Sequence, residues 1–276
     1  MRQPQPILIA DRFPELLDAL LELLSGLSPA EWELPTACAG WSVADVARHL
    51  LADDVGMLTS RRDGYRLDKV SIASWEQLLA FINQQNALWV QATRRIGPRL
   101  LIDFLRLTGE QVSAYFQSRD PYALGGPVDW AGPGPAPVWL DLAREYTERW
   151  HHQQHIRDAV GKPGLLEPRY LAPVLDAFVR ALPHTYRDVD AAEQTLVALT
   201  IAGEAGGRWF LLREGGGWQL YLDVPQPPHA ELVLDQETAW RLFTKGIDKD
   251  AASARARLSG DPALGLRMLE MVSIIA

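Results

Sequence analysis

A single cysteine, Cys38, occurs in the 276 residues, so no disulfide can form within the chain, and this usage fits a reducing compartment. Long apolar runs are also missing. Nothing approaches the roughly eighteen residues a membrane span needs, and the apolar stretch in "MRQPQPILIADRFPELL" is too short and too proline-broken for a secretory signal. The expectation is a cytoplasmic protein with no membrane partner. Lysine is scarce, and 35 acidic residues against 27 Lys plus Arg leave a formal net charge of −8. No basic block interleaved with aromatics offsets that charge, so a phosphate backbone would be repelled and nucleic acid is not an expected partner.

What is present is enough apolar material, 47% of residues, to fill one large core or two ordinary ones. Residues 11–160 read mostly as helices, with N-cap signatures at Ser28/Glu31, Ser42/Asp45 and Ser74/Gln77. The run "ALGGPVDWAGPGPAPVW" reads as a Gly/Pro loop. A helix over about 136–160 follows it and closes at Gly161 and Pro163. "PRYLAPVLDAFVRALPHTY" reads as one more helix. Beyond it come strand-like runs "TLVALTIAG", "GRWFLLRE", "GWQLYLDV" and "AELVLD", with a hairpin at the triple glycine 215–217, then helical patterns at "QETAWRLFTKG" and "DPALGLRMLEMV". The expected architecture is mainly α: a helical bundle over 1–164 and a smaller α+β domain over 165–276.

Three of the six histidines fall in "YTERWHHQQHIRDAVGKPG", residues 146–164. At about 100° per residue, Asp141, Glu145, Glu148, His152 and His155 share one stripe at the margin of an apolar face. His151 groups instead with Arg144, Thr147 and Asp158 on the side expected to face solvent. Carboxylates and imidazoles at a core margin need a compensating partner. Glu148 and His152, one turn apart, could share a metal ion. His49, on the inward side of the "WSVADVARHLLADD" helix with Asp53 one turn on, could supply a third ligand from a facing helix and leave coordination positions open. Spacing alone leaves a second reading equally open, a hydrogen-bonded polar face without metal. His155 is a candidate for orienting His152. Cys38 invites a nucleophilic role, but no histidine follows it at motif spacing, and a small buried thiol is the simpler expectation.

Two segments, "LPTACAGWSVADVARHL" (34–50) and "EYTERWHHQQHIRDAVGKPG" (145–164), resemble the paired motifs of the mycothiol-dependent maleylpyruvate isomerase N-terminal domain family, one of the DinB-like metal-binding bundles. The resemblance implies an up-and-down four-helix bundle holding a divalent metal, usually zinc, between His49, Glu148 and His152. Nickel or iron would also suit such ligands. Position 155 departs from the family pattern, in which an aspartate usually follows the ligand histidine by three. "ELVLDQETAWRLFTKGID" and "LSGDPALGLRML" resemble the family's sterol-carrier-like C-terminal domain, where Arg208 and Arg213 are candidates for an arginine used near the metal.

The function implied is a metal-dependent thiol transferase or isomerase, joining a low-molecular-weight thiol to a small electrophile. A non-enzymatic protein that binds a metal and an apolar ligand is the alternative. The sequence carries no signal for oligomeric state.

Overall fold

The computed structural model describes residues 1–65 and 74–274. Its contacts divide the chain into two units. One, here the helical unit, takes Ile9–Asp120 and Glu145–Leu165; the other, the sheet unit, takes Met1–Leu8, Pro121–Arg144 and Leu166–Ile275.

In the helical unit, α1 (Phe13–Ser25) begins with a proline in its first turn, where no amide partner is lost, and buries Leu16, Leu20, Leu21, Leu23 and Leu24. A short α2 (Pro29–Trp32) and then α3 (Val43–Gly56) both start on reciprocal capping boxes: the hydroxyls of Ser28 and Ser42 accept the N–H groups of Glu31 and Asp45, whose carboxylates accept the serine N–H in return. Helix α3 runs on into a π-helical turn, Met57–Arg62. Ser74 caps α4 (Trp75–Thr93), and Pro98 opens α5 (Pro98–Gln117). Helices α1 and α3 pack on α5, and α4 packs on α3. Leucines of α1 and α5 close on Val43, Val46, Ala47, Leu50 and Leu51 of α3, with Ile156 from the helix that follows.

Polar ties fix these helices at the places that matter for the histidines. The Arg48 guanidinium is buried beside Asp45 at 3.0 Å and donates to the carbonyls of Thr93 and Ile96, while Trp89 donates to the carbonyl of Arg48. The next residue of α3 is His49, so its backbone is anchored to the C-terminal end of α4.

The proline-rich stretch is a correction to the loop expectation. It forms an antiparallel ribbon, β1 (Leu124–Val128) with β2 (Gly132–Pro137), irregular in register. Prolines are tolerated there because each strand of a two-stranded ribbon has an unpaired side that needs no donor. Helix α6 (Val138–Ala159) follows. From Glu145 onward it lies in the helical unit, held by Gln153 Nε2 donating to the Leu16 carbonyl, by Trp150 Nε1 donating to the Leu165 carbonyl, and by Arg149. The solvent side expected for this helix holds for Asp158, which is exposed, but not for Thr147 and His151, which are only 3% and 5% exposed.

In the sheet unit, the single helix expected over "PRYLAPVLDAFVRALPHTY" is two: α7 (Pro168–Val179) and α8 (Leu182–Thr185). Pro183 has no N–H to give to the preceding turn, so the helix stops and restarts. Strands β3 (Leu196–Ala202), β4 (Gly207–Glu214), β5 (Gly217–Tyr221) and β6 (Ala230–Asp235) are as the sequence pattern indicates. Gly215 and Gly216 have φ of +60° and +77°, the left-handed pair that a two-residue hairpin turn requires. Helices α9 (Gln236–Phe243) and α10 (Lys249–Ser253) lead to β7 (Arg257–Gly260), a strand too polar to show in the pattern, and to α11 (Pro262–Arg267), capped by Asp261. The sheet order is β5-β4-β3-β6-β7, with only the β3/β6 pair parallel. Leu196, Ala198, Phe210, Leu212 and Tyr221 form an apolar cluster on it. Among the described residues, no helix is long and apolar enough to cross a membrane.

Candidate metal centre

His49 and Glu148 are 99 residues apart, and the packing of α3 and α6 brings them together. His49 Nε2 is 3.3 Å from Glu148 Oε1, and His152 Nε2 is 2.9 Å from the same oxygen. Two imidazole nitrogens and one carboxylate oxygen thus lie within 4.8 Å of one another, a donor set that fits a borderline divalent cation. The His49 and His152 rings stand nearly perpendicular, with centroids 4.6 Å apart. The side chains of His49 and His152 are 6% and 12% exposed, whereas that of Glu148 is 31% exposed, so the site opens on the carboxylate side.

Burial alone would raise the Glu148 pKa, but the charge and hydrogen bonds of His152 and His49 hold it well below the ordinary carboxylate value. Burial would likewise lower His152, yet Glu148 and Cys38 beside it raise its pKa to about 10. Both shifts express one fact: Glu148 and His152 are an ion pair in which each partner stabilises the charge of the other. Asp53 Oδ2 lies 3.5 Å from His49 Nε2, is itself buried and has no hydrogen-bond partner among the described residues. Burial raises the Asp53 carboxyl to about 6 against the opposing influence of the His49 charge. An orphaned buried oxygen next to the His49 imidazole is what a cation or a proton at this point would satisfy.

Next to the triad, Arg149 donates to Asp54 Oδ1 at 2.9 Å and to Glu145 Oε2 at 2.6 Å. Glu145, the neighbour of Glu148 on the predicted stripe, is therefore a structural partner of Arg149. Trp41 packs its ring 5.1 Å from that of His49.

His155 does not orient His152 by a direct hydrogen bond. Its Nδ1 lies 3.1 Å from Cys38 Sγ, which is also 3.9 Å from His152 Nδ1. His151, expected at the surface, packs its ring against that of His155, with centroids 4.1 Å apart and the planes tilted by 59°. The pairing of Cys38 with His155 was not visible in the sequence, because the residues are 117 positions apart and share no motif. Burial would raise the Cys38 thiol, but hydrogen bonds and charge from His152 and His155 bring it down to about 6. Arg208 and Arg213 are engaged within the sheet unit: Arg208 pairs with Glu231 at 3.1 Å, and Arg213 lies 6.0 Å over the Trp218 ring. His229 is structural, its Nδ1 accepting the Leu196 N–H at 3.0 Å.

Residues 13–157 match the family described as the mycothiol maleylpyruvate isomerase N-terminal domain. The fold is similar to that in a crystal structure of a His-to-Ala mutant of the mycothiol-dependent maleylpyruvate isomerase, with a TM-score of 0.52 at 11% identity over 92% of this chain and 91% of that one. A second crystal structure of the mycothiol-dependent maleylpyruvate isomerase aligns with a TM-score of 0.49 at 10% identity, over 86% of each chain. No match was found among curated proteins.

Proposed function

The chain belongs to the mycothiol maleylpyruvate isomerase N-terminal domain family, and on that premise we propose that His49, Glu148 and His152 hold a divalent metal at which a low-molecular-weight thiol is used on a small electrophile, by isomerisation or S-transfer. The observation that carries this reading is the convergence of three donor atoms from two helices on one point, beside an unsatisfied buried carboxylate oxygen. A divalent cation bound there would supply Lewis acidity, lowering the pKa of a thiol or water toward neutrality. Zinc is the first choice for two imidazoles and one carboxylate; nickel and iron suit the same donors.

The protein's own groups have distinct parts in this reading. His49 and His152 present Nε2, and Glu148 supplies the one formal charge among the ligands and faces the open side. Asp53, whose Oδ2 lies 3.5 Å from His49 Nε2, is placed to support that ligand ring. We read the helical unit as a DinB-like up-and-down bundle and the sheet unit as a sterol-carrier-like domain.

The test is metal content by mass spectrometry on protein purified without a histidine tag, beside His152→Ala. About one equivalent in the wild type and none in the variant supports the site. The loaded protein is then offered a thiol with a panel of electrophiles. No catalysed loss of thiol across the panel would leave a metal-binding protein without this chemistry, and no metal even after reconstitution would sink the reading.

A further inference from the structure

His152 has two ring nitrogens, and the structure uses both edges. Nε2 faces Glu148, whereas Nδ1 faces Cys38. Cys38 Sγ, His152 Nδ1 and His155 Nδ1 form a second group of donors lying within 4.8 Å of one another. A tetrahedral ion with metal–sulfur and metal–nitrogen bonds of ordinary length would set each S···N edge at about 3.5 Å. The observed edges of 3.1 Å and 3.9 Å bracket that value, so shifts of a few tenths of an ångström would seat an ion.

The thiol is also fixed from its own side. The Cys38 N–H donates to Thr36 Oγ1, Thr36 Oγ1 donates to the Trp41 carbonyl, and the Trp41 N–H donates to the Cys38 carbonyl, a closed turn that presents the sulfur toward α6. Cys38 and His155 are both part-exposed, which leaves a path for an ion to enter. His155 is one turn from His152 on the same helix, so the two imidazoles are held at a fixed spacing.

We propose that Cys38, His155 and the Nδ1 edge of His152 form a second metal site, selective for soft, thiophilic cations. One thiolate and two imidazoles are the softer donor set of the two, while two imidazoles and a carboxylate are the harder one. A neutral imidazole offers a lone pair at one nitrogen and carries its proton on the other. A cation on Nδ1 therefore turns Nε2 of His152 into a donor and takes that ligand away from the first triad. The two sites are alternatives at His152, and a thiophilic ion acts as an antagonist of the metal at the first. That last consequence rests on the function proposed above; the existence of the second site does not.

The experiment is a titration of the full-length protein with Cd²⁺, followed by the ultraviolet thiolate-to-cadmium charge-transfer absorption, for the wild type, Cys38→Ser, His155→Gln and Glu148→Gln. Circular dichroism melts show which variants fold. The wild type is expected to develop the band at one equivalent, Cys38→Ser to show none, His155→Gln to bind at least about tenfold more weakly, and Glu148→Gln to keep the band. Absence of the band in the wild type would overturn the proposal, as would an affinity unchanged in His155→Gln, which would mark Cys38 as a solitary thiol ligand. Because Cys38 and His155 lie on separate elements, the loss of one variant to misfolding leaves the other to decide. A His155-dependent band in a protein that holds no metal at His49, Glu148 and His152 would keep this site and discard the first.

Discussion

At the scale of single residues, the site is an arrangement of charges that only partners make tolerable. Arg149 is the clearest example, a buried guanidinium between Asp54 and Glu145. Burial alone would lower its pKa, and the two carboxylates more than restore it. Arg149→Met would leave two buried carboxylates facing each other without a cation, and is expected to cost about 3–5 kcal/mol in urea unfolding; a loss under about 1 kcal/mol would show that water reaches the pair. Asp53 is a subtler case, since it touches the triad through His49 and its Oδ2 has no hydrogen-bond partner among the described residues. Asp53→Asn is expected to weaken metal binding about tenfold, the lower end for a group that supports ligands. His49→Ala should abolish it, both measured by competition with a chelator.

At the scale of elements, the position of His49 depends on how α3 begins. Asp45 serves twice there, closing the capping box with Ser42 and pairing with Arg48 and Arg94. Ser42→Ala is expected to cost about 1 kcal/mol by equilibrium unfolding, as the loss of a serine cap usually does. The Asp45 carboxyl is held below 3.8: burial would raise it, but hydrogen bonds from Arg94 and Ser42 and the charges of Arg94 and Arg48 outweigh that. A pKa lower in the folded state means that the stability Asp45 supplies is complete above pH 3.8 and is lost as the pH falls below it. The gap in stability between the wild type and Asp45→Asn should therefore be constant near neutrality and shrink in acid. A gap that stays the same down to pH 2 would count against the ion pairs as its source.

These starts were legible because a cap is a local event, written in three consecutive positions such as those following Ser28 and Ser42. The triad was legible for a related reason: Glu148 and His152 are one turn apart, and the surroundings of His49 mark it as inward. What stayed hidden was non-local or went against propensity. The β1/β2 ribbon is built from prolines and glycines, β7 is exposed along its whole length, and Cys38 meets His155 only because a turn and a helix fold together. The burial of His151 was hidden too, because a helical wheel assigns one outer face and α6 has almost none from Tyr146 to Gln154.

At the scale of the molecule, each unit has a core of its own, and the proposed ligands His49, Glu148 and His152 all belong to the helical unit. A metal that binds only the folded state stabilises by mass action, about 2.7 kcal/mol at a hundredfold excess over Kd. Hydrogen exchange with and without zinc should show increased protection in α3 and the second part of α6 and no change in β3–β6. Slowing spread evenly over both units would mean that the metal couples them. The chain itself weaves between the two, since Met1–Leu8 and Pro121–Arg144 belong with the sheet unit and α6 crosses from one to the other at Glu145. A gene cut once, at any codon, strands part of one unit with the other. Recombination between relatives therefore has no single crossover point that exchanges one unit and spares its neighbour, and the two have to be inherited as one cassette.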